Sequence, residues 1–505
     1  MNTSVLPQLS NTEETRSYKN IFKATTLFGG VQLYQIIINI IRSKFVAVLL
    51  GASGVGLQGL YQSVISLIRS ITSLGLSQSA VRDVSEANGT GDLLTISKTV
   101  STLRRLVWLT GLFGTIALIC FSPLLSQLTF GNHDYTLPLI VLSCILLIDQ
   151  LCSGQSVILQ GMRRLKDLAK SSAIGSTAGL IVSVPLYYLL GIKGIVPTLI
   201  LYSAINFLVS WLFARKIVLP RVHLSIDDTL KQGRMMIKMG VAMSASGILA
   251  TLVTYILKSF IAREGGLTSV GLYQAGATII TVYVGMVFNA LGTDFYPRLS
   301  AVNKDNDACS KIISQQGEIA THILAPLLCL CIIFMPLVLR ILYSDQFLES
   351  GTYVLFCCPG MMFKLASWLI AFQFIAKAES VLFIVSETLS NIIFLALSIA
   401  GYKIWALNGL GIALSVNYLV YLIIVYVIAA KHFNFTFSSD CVKVMIVQFA
   451  LILSSIVIVL LFPSPLKYWL CSIPVLASCL YSIVMLNKRI HLIEIIKDSI
   501  RSYKH

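Results

Sequence analysis

The sequence predicts an all-α integral membrane protein with about 14 transmembrane helices: two six-helix lobes related by a pseudo-two-fold along the membrane normal, plus two C-terminal helices. Three observations carry that prediction. Of 505 residues, 56% are hydrophobic and only 12% charged, with a mean hydropathy of +0.83, whereas soluble domains run at about 25% charged. Apolar runs of spanning length follow one another along nearly the whole chain, leaving no room for a large soluble domain. Short motifs from the first half return in the second at offsets of 215 to 217 residues.

The first 20 residues, MNTSVLPQLSNTEETRSYKN, are polar and lack the apolar core and cleavage site of a signal peptide, so the first span is expected to act as its own insertion signal. Spans are expected at about 24–50, 55–80, 106–130, 136–160, 171–190, 194–214, 239–262, 267–292, 318–343, 351–376, 381–401, 406–430, 444–462 and 468–486, each near the length that crosses a hydrocarbon core of ~30 Å. The connectors set the orientation. With the N-terminus in the cytoplasm, 28 of the 38 Lys and Arg residues fall in inner segments and 4 in outer ones. That is the asymmetry of the positive-inside rule, and it places both termini in the cytoplasm. The net charge of +16 is thereby explained by topology and anionic lipid, without a nucleic-acid partner.

The domain plan is a cytoplasmic N-terminal segment (1–23), an N-lobe (24–214), a basic cytoplasmic linker (215–238), a C-lobe (239–430), two additional helices (431–486) and a cytoplasmic tail (487–505). In the tail, Leu492, Ile493, Ile496 and Ile500 share one helical face, as in an interfacial amphipathic helix. The repeat pairs Arg42-Ser43 with Lys258-Ser259, VGLQGLYQ from Val55 with VGLYQAG from Val270, LGLSQSAVRD (74–83) with LGTDFYPRLS (291–300), and GIKGI (191–195) with NGLGI (408–412). Six helices per lobe is an even number, so the lobes run in the same direction and suit an alternating-access transporter.

Four spans carry polar stripes at helical spacing. They are Gln32, Gln35, Asn39 and Arg42; Gln58, Gln62, Ser66, Arg69 and Ser73; Ser244, Gly247, Thr251, Thr254 and Lys258; and Gln274, Thr278, Thr281, Gly285 and Asn289. Such stripes are costly against lipid and natural against water, so these helices are expected to line one wet cavity. Six basic residues lie within spans: Arg42, Lys44, Arg69, Lys258, Arg340 and Lys364. Arg69 and Lys364 fall near mid-helix, where snorkelling is hardest. Arg42 and Lys258 lie nearer the outer end, where snorkelling competes, but their stripes and repeat relation favour the cavity. Lys44 and Arg340 are expected to be interface anchors.

Acids are fewer. Asp149 sits in mid-span, and Glu318, His322, Glu379 and Glu387 lie toward inner ends. Asp149, Glu318, His322 and Glu387 are candidates for coupling to H+ or Na+; Asp149 equally suits neutralising Arg69. The cationic bias of the lumen points to an anionic or phosphate-bearing cargo. No other cofactor or metal is expected. The 11 cysteines lie mostly in apolar runs, and Cys329-x-Cys331 and Cys357-Cys358 lack zinc-site spacing. No GxxxxGK[ST] loop is present, GASGVG (51–56) reads as a turn, and no outer loop is long enough for a catalytic domain, so no enzyme is expected.

The stretch LFGGVQLYQIIINIIRSKFVAVLLGASGVGLQGLYQS and its continuation ITSLGLSQSAVRDVSEANGTGD (71–92) resemble the bacterial O-antigen translocases, the Wzx-type flippases, of the superfamily that includes the MATE drug exporters. That resemblance implies a cargo of undecaprenyl-pyrophosphate-linked oligosaccharide, moved from the cytoplasmic to the periplasmic leaflet of the bacterial inner membrane. It also implies a cationic lumen for the pyrophosphate, which Arg42, Arg69, Lys258 and Lys364 suit by type and placement. Partners would be the lipid-linked oligosaccharide, membrane lipids, and the polymerase and chain-length regulator of the same pathway. The two extra helices resemble those of the lipid II flippases, so a lipid II-type or other polysaccharide precursor is an alternative cargo. A MATE-like drug or cation exporter is the other alternative, and it would favour an acidic cavity.

Overall fold

The computed structural model describes residues 7–490 apart from 221, 223 and 224; the apolar tail face expected at 492–500 lies outside the described residues. The helices are α1 (Pro7–Thr72), α2 (Leu76–Gly89), α3 (Leu93–Phe130), α4 (Thr136–Leu142), α5 (Cys144–Gly161), α6 (Leu165–Leu190), α7 (Ile195–Ala214), α8 (Ile226–Thr278), α9 (Gly285–Ala301), α10 (Asn306–Leu342), α11 (Ser350–Ala376), α12 (Ser380–Phe433), α13 (Ser439–Leu461) and α14 (Leu466–Ile490). No strand occurs among the described residues. Ten continuous helical stretches among them are long and apolar enough to cross a membrane, which makes this a multi-pass membrane protein.

Ten stretches stand where fourteen separate helices were expected, and the difference lies in the connections. Gly51 breaks α1 and Gly266 breaks α8, a 3-10 turn at Gly191–Gly194 joins α6 to α7, and Trp405 and Ala406 break α12. Each break is so short that the helix resumes almost at once.

These breaks carry the internal repeat into the backbone. Gly51 (φ 67, ψ −171) and Gly266 (φ 76, ψ −179) have the same left-handed extended conformation 215 residues apart. At the same separation, Gly191 (φ 53, ψ −134) matches Ala406 (φ 49, ψ −129). Arg163 (φ 56) likewise matches Ala378 (φ 60). Ala406 holds with a Cβ the conformation that glycine supplies at 191, and positive φ strains an L side chain. Ala406→Gly is therefore expected to stabilise the fold and Gly191→Ala to destabilise it, each by about 1–2 kcal/mol, read as opposite shifts in thermal unfolding in detergent.

Helix starts repeat as well. Asp92 caps α3 by accepting from the amides of Leu94 (3.0 Å) and Thr95 (3.1 Å), and Asp305 caps α10 through the amides of Asp307 and Ala308. The Thr95 hydroxyl first, and then the two amides, hold the Asp92 carboxyl below its ordinary range. A depressed carboxyl stabilises above the ordinary carboxylate range, and that support is lost as pH falls through the depressed value. Acidification, or Asp92→Ala at neutral pH, should therefore fray the start of α3. Faster amide hydrogen exchange at 94–96 is the expected readout, with Asp92→Asn intermediate.

Packing divides the chain into two compact units, 1–263 and 264–505. Within the first, a core joins Leu76, Ala80 and Val84 of α2, Val100, Leu103 and Val107 of α3, Ile158 of α5 and Met236 of α8. Gly161 faces Val84, and Gly154 faces Val107, at distances that leave little space for a Cβ. The span expected over 55–80 stops at Thr72. Leu74 and Gly75 turn with positive φ, and α2 follows as a separate helix. The turn is fixed by a backbone approach, since a Cβ on Gly75 would stand 2.1 Å from the carbonyl oxygen of Gly240 in α8. The part of α8 before Arg263 is held further by Thr129–Tyr255 (2.9 Å) and Thr102–Gln232 (3.0 Å) hydrogen bonds, which explains why it packs with the first unit. In the second unit, α11 is the most buried of the apolar helices.

Candidate functional site

In the first unit, Arg42 projects from α1 onto Tyr202 of α7, its guanidinium carbon 4.1 Å from the ring centroid. Gly179 of α6 makes room for that ring, because a Cβ there would come within 2.3 Å of it. Two turns earlier, Tyr34 hydrogen-bonds Thr177 of α6 (2.6 Å). The cation is thus positioned by an aromatic face, worth about 1–2 kcal/mol when desolvated. Its Nε is buried without a hydrogen-bond partner among the described residues.

Arg69 donates to Asp149 of α5 at 2.9 Å; it stands in the last turn of α1, not near mid-helix as expected, because the helix ends at Thr72. Ser203 of α7 also reaches that carboxylate, so the pair ties three helices together. Of the two roles open to Asp149, the structure displays the neutralising contact. Lys258 of α8 is 9% exposed. In the second unit, Lys364 of α11 lies between Phe288 of α9 (5.2 Å) and Tyr418 of α12 (5.3 Å). Among the described residues no carboxylate lies within ion-pair reach of Arg42, Lys258 or Lys364. Among the described residues, three basic side chains in apolar helices therefore have no carboxylate partner, and a fourth is paired.

The polar stripes divide by chemistry. Thr251, Thr254, Thr278 and Thr281 return their hydroxyls to the carbonyl four residues earlier, so they are satisfied within their own helices. The amide side chains cannot do this so simply. Gln32, Asn39 and Gln62 are exposed, and Gln35, Gln58 and Ser66 are half-buried. Gln274 reaches Thr278 at 3.3 Å, while its Oε1 is buried without a partner among the described residues. A π-helical turn at Ile279–Val284 interrupts the last stripe. The wider turn shifts the register by about 100°, so exposed Asn289 leaves the line that regular spacing drew for it.

The other acids sit elsewhere. Glu387 of α12 accepts from the hydroxyl of Tyr421 at 2.6 Å. Buried His322 of α10 meets Ser482 at 3.3 Å and packs its ring on Tyr481 of α14. Ser482 and Ser478 in turn hold Gln448 of α13, a buried polar network fastening the last two helices to α10. Glu318 lies beside Cys441 of α13. Arg340 pairs with Asp345 at 2.7 Å. Among the described residues no three His, Cys, Asp or Glu side chains come together as metal ligands. Sequence periodicity did not reveal Tyr202, Phe288, Tyr418 or Gln448, whose partners are all on other helices.

The family model described as "Polysaccharide biosynthesis protein" matches residues 45–352, more than half of the chain. The chain belongs to the polysaccharide biosynthesis protein family. No curated protein matches it in sequence. Several solved structures share the fold of this polysaccharide biosynthesis protein at low identity. The lipid II flippase MurJ in an inward closed conformation superposes with a TM-score of 0.72 at 15% identity, over 92% of this chain and 99% of the other. An inward-facing multidrug resistance MATE family transporter of the MOP superfamily gives 0.65 at 14%, over 79% and 94%. A MOP superfamily transporter from Pyrococcus furiosus gives 0.54 at 13%, over 81% and 94%.

Proposed function

We propose that this polysaccharide biosynthesis protein is a Wzx-type flippase that moves an undecaprenyl-pyrophosphate-linked oligosaccharide from the cytoplasmic to the periplasmic leaflet of the bacterial inner membrane. The observation that carries the proposal is the set of basic residues Arg42, Lys258 and Lys364, which lie within apolar helices and have no carboxylate partner among the described residues. A charge held in a membrane without a counter-ion needs an anionic partner, and a pyrophosphate supplies one together with several acceptor oxygens. Family membership and a fold shared with a lipid flippase support the same reading.

Both termini would lie in the cytoplasm, a reading the basic inner connectors support, and the lobes 24–214 and 239–430 would provide alternating access. Coupling to H+ or Na+ would fall to Glu318, His322 or Glu387, because Asp149 is held by Arg69. A polymerase and a chain-length regulator would act on the exported units. A lipid II-type precursor is the second reading, favoured by the superposition over 92% of this chain against 79% for the drug transporter.

The test is reconstitution. Vesicles containing the full chain and a fluorescent undecaprenyl-pyrophosphate oligosaccharide should expose the label to an impermeant quencher faster than protein-free vesicles. Equal rates with and without protein would reject the proposal, and selective movement of lipid II would establish the second reading.

A further inference from the structure

A cavity of about 560 Å³ opens on the first unit, and none of the cations described above lines it. Its wall brings together Arg104 and Trp108 of α3, Gln155 of α5, Trp211 of α7, Arg215 just beyond that helix, and Leu219 in the connector that follows. The volume lies within the range of small-molecule and lipid sites, about 300–1,000 Å³. Its chemistry is divided. Trp108 and Trp211 are 50% and 42% exposed, and they continue into the exposed leucines 109, 208 and 212 along the same two helices. Arg104 and Arg215 form the cationic end. Arg215 stacks over Trp211 at 5.1 Å, and among the described residues no carboxylate pairs with either arginine. The neighbouring Arg105 is occupied, donating to Thr229 at 2.7 Å, so Arg104 alone of that pair is open to a ligand.

We propose that this cavity binds an anionic glycerophospholipid of the surrounding membrane, its phosphate held by Arg104, Arg215 and Gln155 and its acyl chains lying along Trp108 and Trp211. Charge complementarity commits the site to an anion, and the apolar surface running from it commits that anion to carrying tails. Tryptophans at headgroup depth and basic pockets between spanning helices are the usual means of holding such lipids. The site also explains why the basic connector after α7 turns back against α3 and α5. The bound lipid would bridge the connector to the membrane, independently of the transported cargo.

Native mass spectrometry of the delipidated full chain in detergent tests this, with phosphatidylglycerol and phosphatidylcholine of identical acyl chains as probes. Phosphatidylglycerol should bind more tightly. R104Q/R215Q should weaken it by about thirtyfold, to the phosphatidylcholine level, from about 1 kcal/mol per basic group. Equal binding of the two lipids, or unchanged phosphatidylglycerol affinity in the variant, overturns the proposal. Displacement of the lipid by millimolar inorganic phosphate would assign the pocket to a free anion and overturns it too. Should R104Q/R215Q not fold, quenching of tryptophan fluorescence by dibrominated phosphatidylglycerol decides the matter. In W368F/W405F/W469F, which keeps only Trp108 and Trp211 of the five tryptophans, that quenching should exceed the quenching by dibrominated phosphatidylcholine, and equal quenching by the two lipids would contradict the site.

Discussion

Exchanging any one of Arg42, Lys258 or Lys364 for methionine should lower glycan export by at least about tenfold, the loss expected when a charge-assisted hydrogen bond of about 1.5–3 kcal/mol is removed. The expectation rests on what these side chains lack. Lys364 has Phe288 and Tyr418 beside it, and Arg42 has Tyr202 and Tyr187, but neither has a carboxylate partner among the described residues. If their charge were structural, methionine would relieve a desolvation cost and stabilise the protein without loss of export. If their charge meets the cargo, export falls while the protein remains inserted and folded. Lys364→Arg keeps the charge and should retain most export, while Arg42→Lys should lose part of it, because the planar guanidinium stacks on Tyr202 better than an ammonium. The measurement is surface glycan normalised to membrane-inserted protein, with thermal unfolding as the control for folding.

The Arg69–Asp149 pair should behave in the opposite way. Arg69→Met leaves the Asp149 carboxylate, 23% exposed, without its partner inside the helical bundle, and should destabilise the first unit by about 2–3 kcal/mol. Asp149→Leu leaves an arginine that is 51% exposed; screening and side-chain freedom reduce that cost to about 1 kcal/mol. The double variant R69M/D149L should recover to within about 1 kcal/mol of the parent, since it removes both charges together. Thermal unfolding of the four proteins completes the cycle. Additive losses would show that the 2.9 Å contact does not couple the two residues. Retained export in the double variant would mark Arg69 as structural and narrow the cargo-binding set to Arg42, Lys258 and Lys364.

The membrane class was legible because it follows from composition and the length of apolar runs, both properties of the chain itself. The repeat was legible in motifs such as VGLQGLYQ from Val55 and VGLYQAG from Val270, which begin four residues after the breaks at Gly51 and Gly266. It was hidden at Arg163, Ala378 and Ala406, because nothing about those residue types announces positive φ. Helix α2 was missed for a different reason. Leu76, Ala80, Val84 and Ala87 line its buried face, but LSQSAVRDVSEANG follows an apolar span so closely that its first residues merge with it. The basic residues of the site could be found by type. Their environments could not, since Tyr202 lies 160 residues from Arg42, and Phe288 and Tyr418 reach Lys364 from different helices. Nor does any residue pattern mark the π turn at Ile279–Val284, which moves Asn289 off the expected face. Local period is read from sequence; contacts between helices are made by packing.

The central claim is that the chain exports a lipid-linked glycan, and complementation tests it most directly. The full chain would be expressed, with the glycan gene cluster that accompanies it, in a bacterium lacking its own O-antigen translocase, and surface polysaccharide would be resolved on gels. The account predicts restored glycan on the outer face, with little or none when Lys364 is methionine. Absence of surface glycan, with the protein inserted and the lipid-linked precursor accumulating inside the cell, would contradict it.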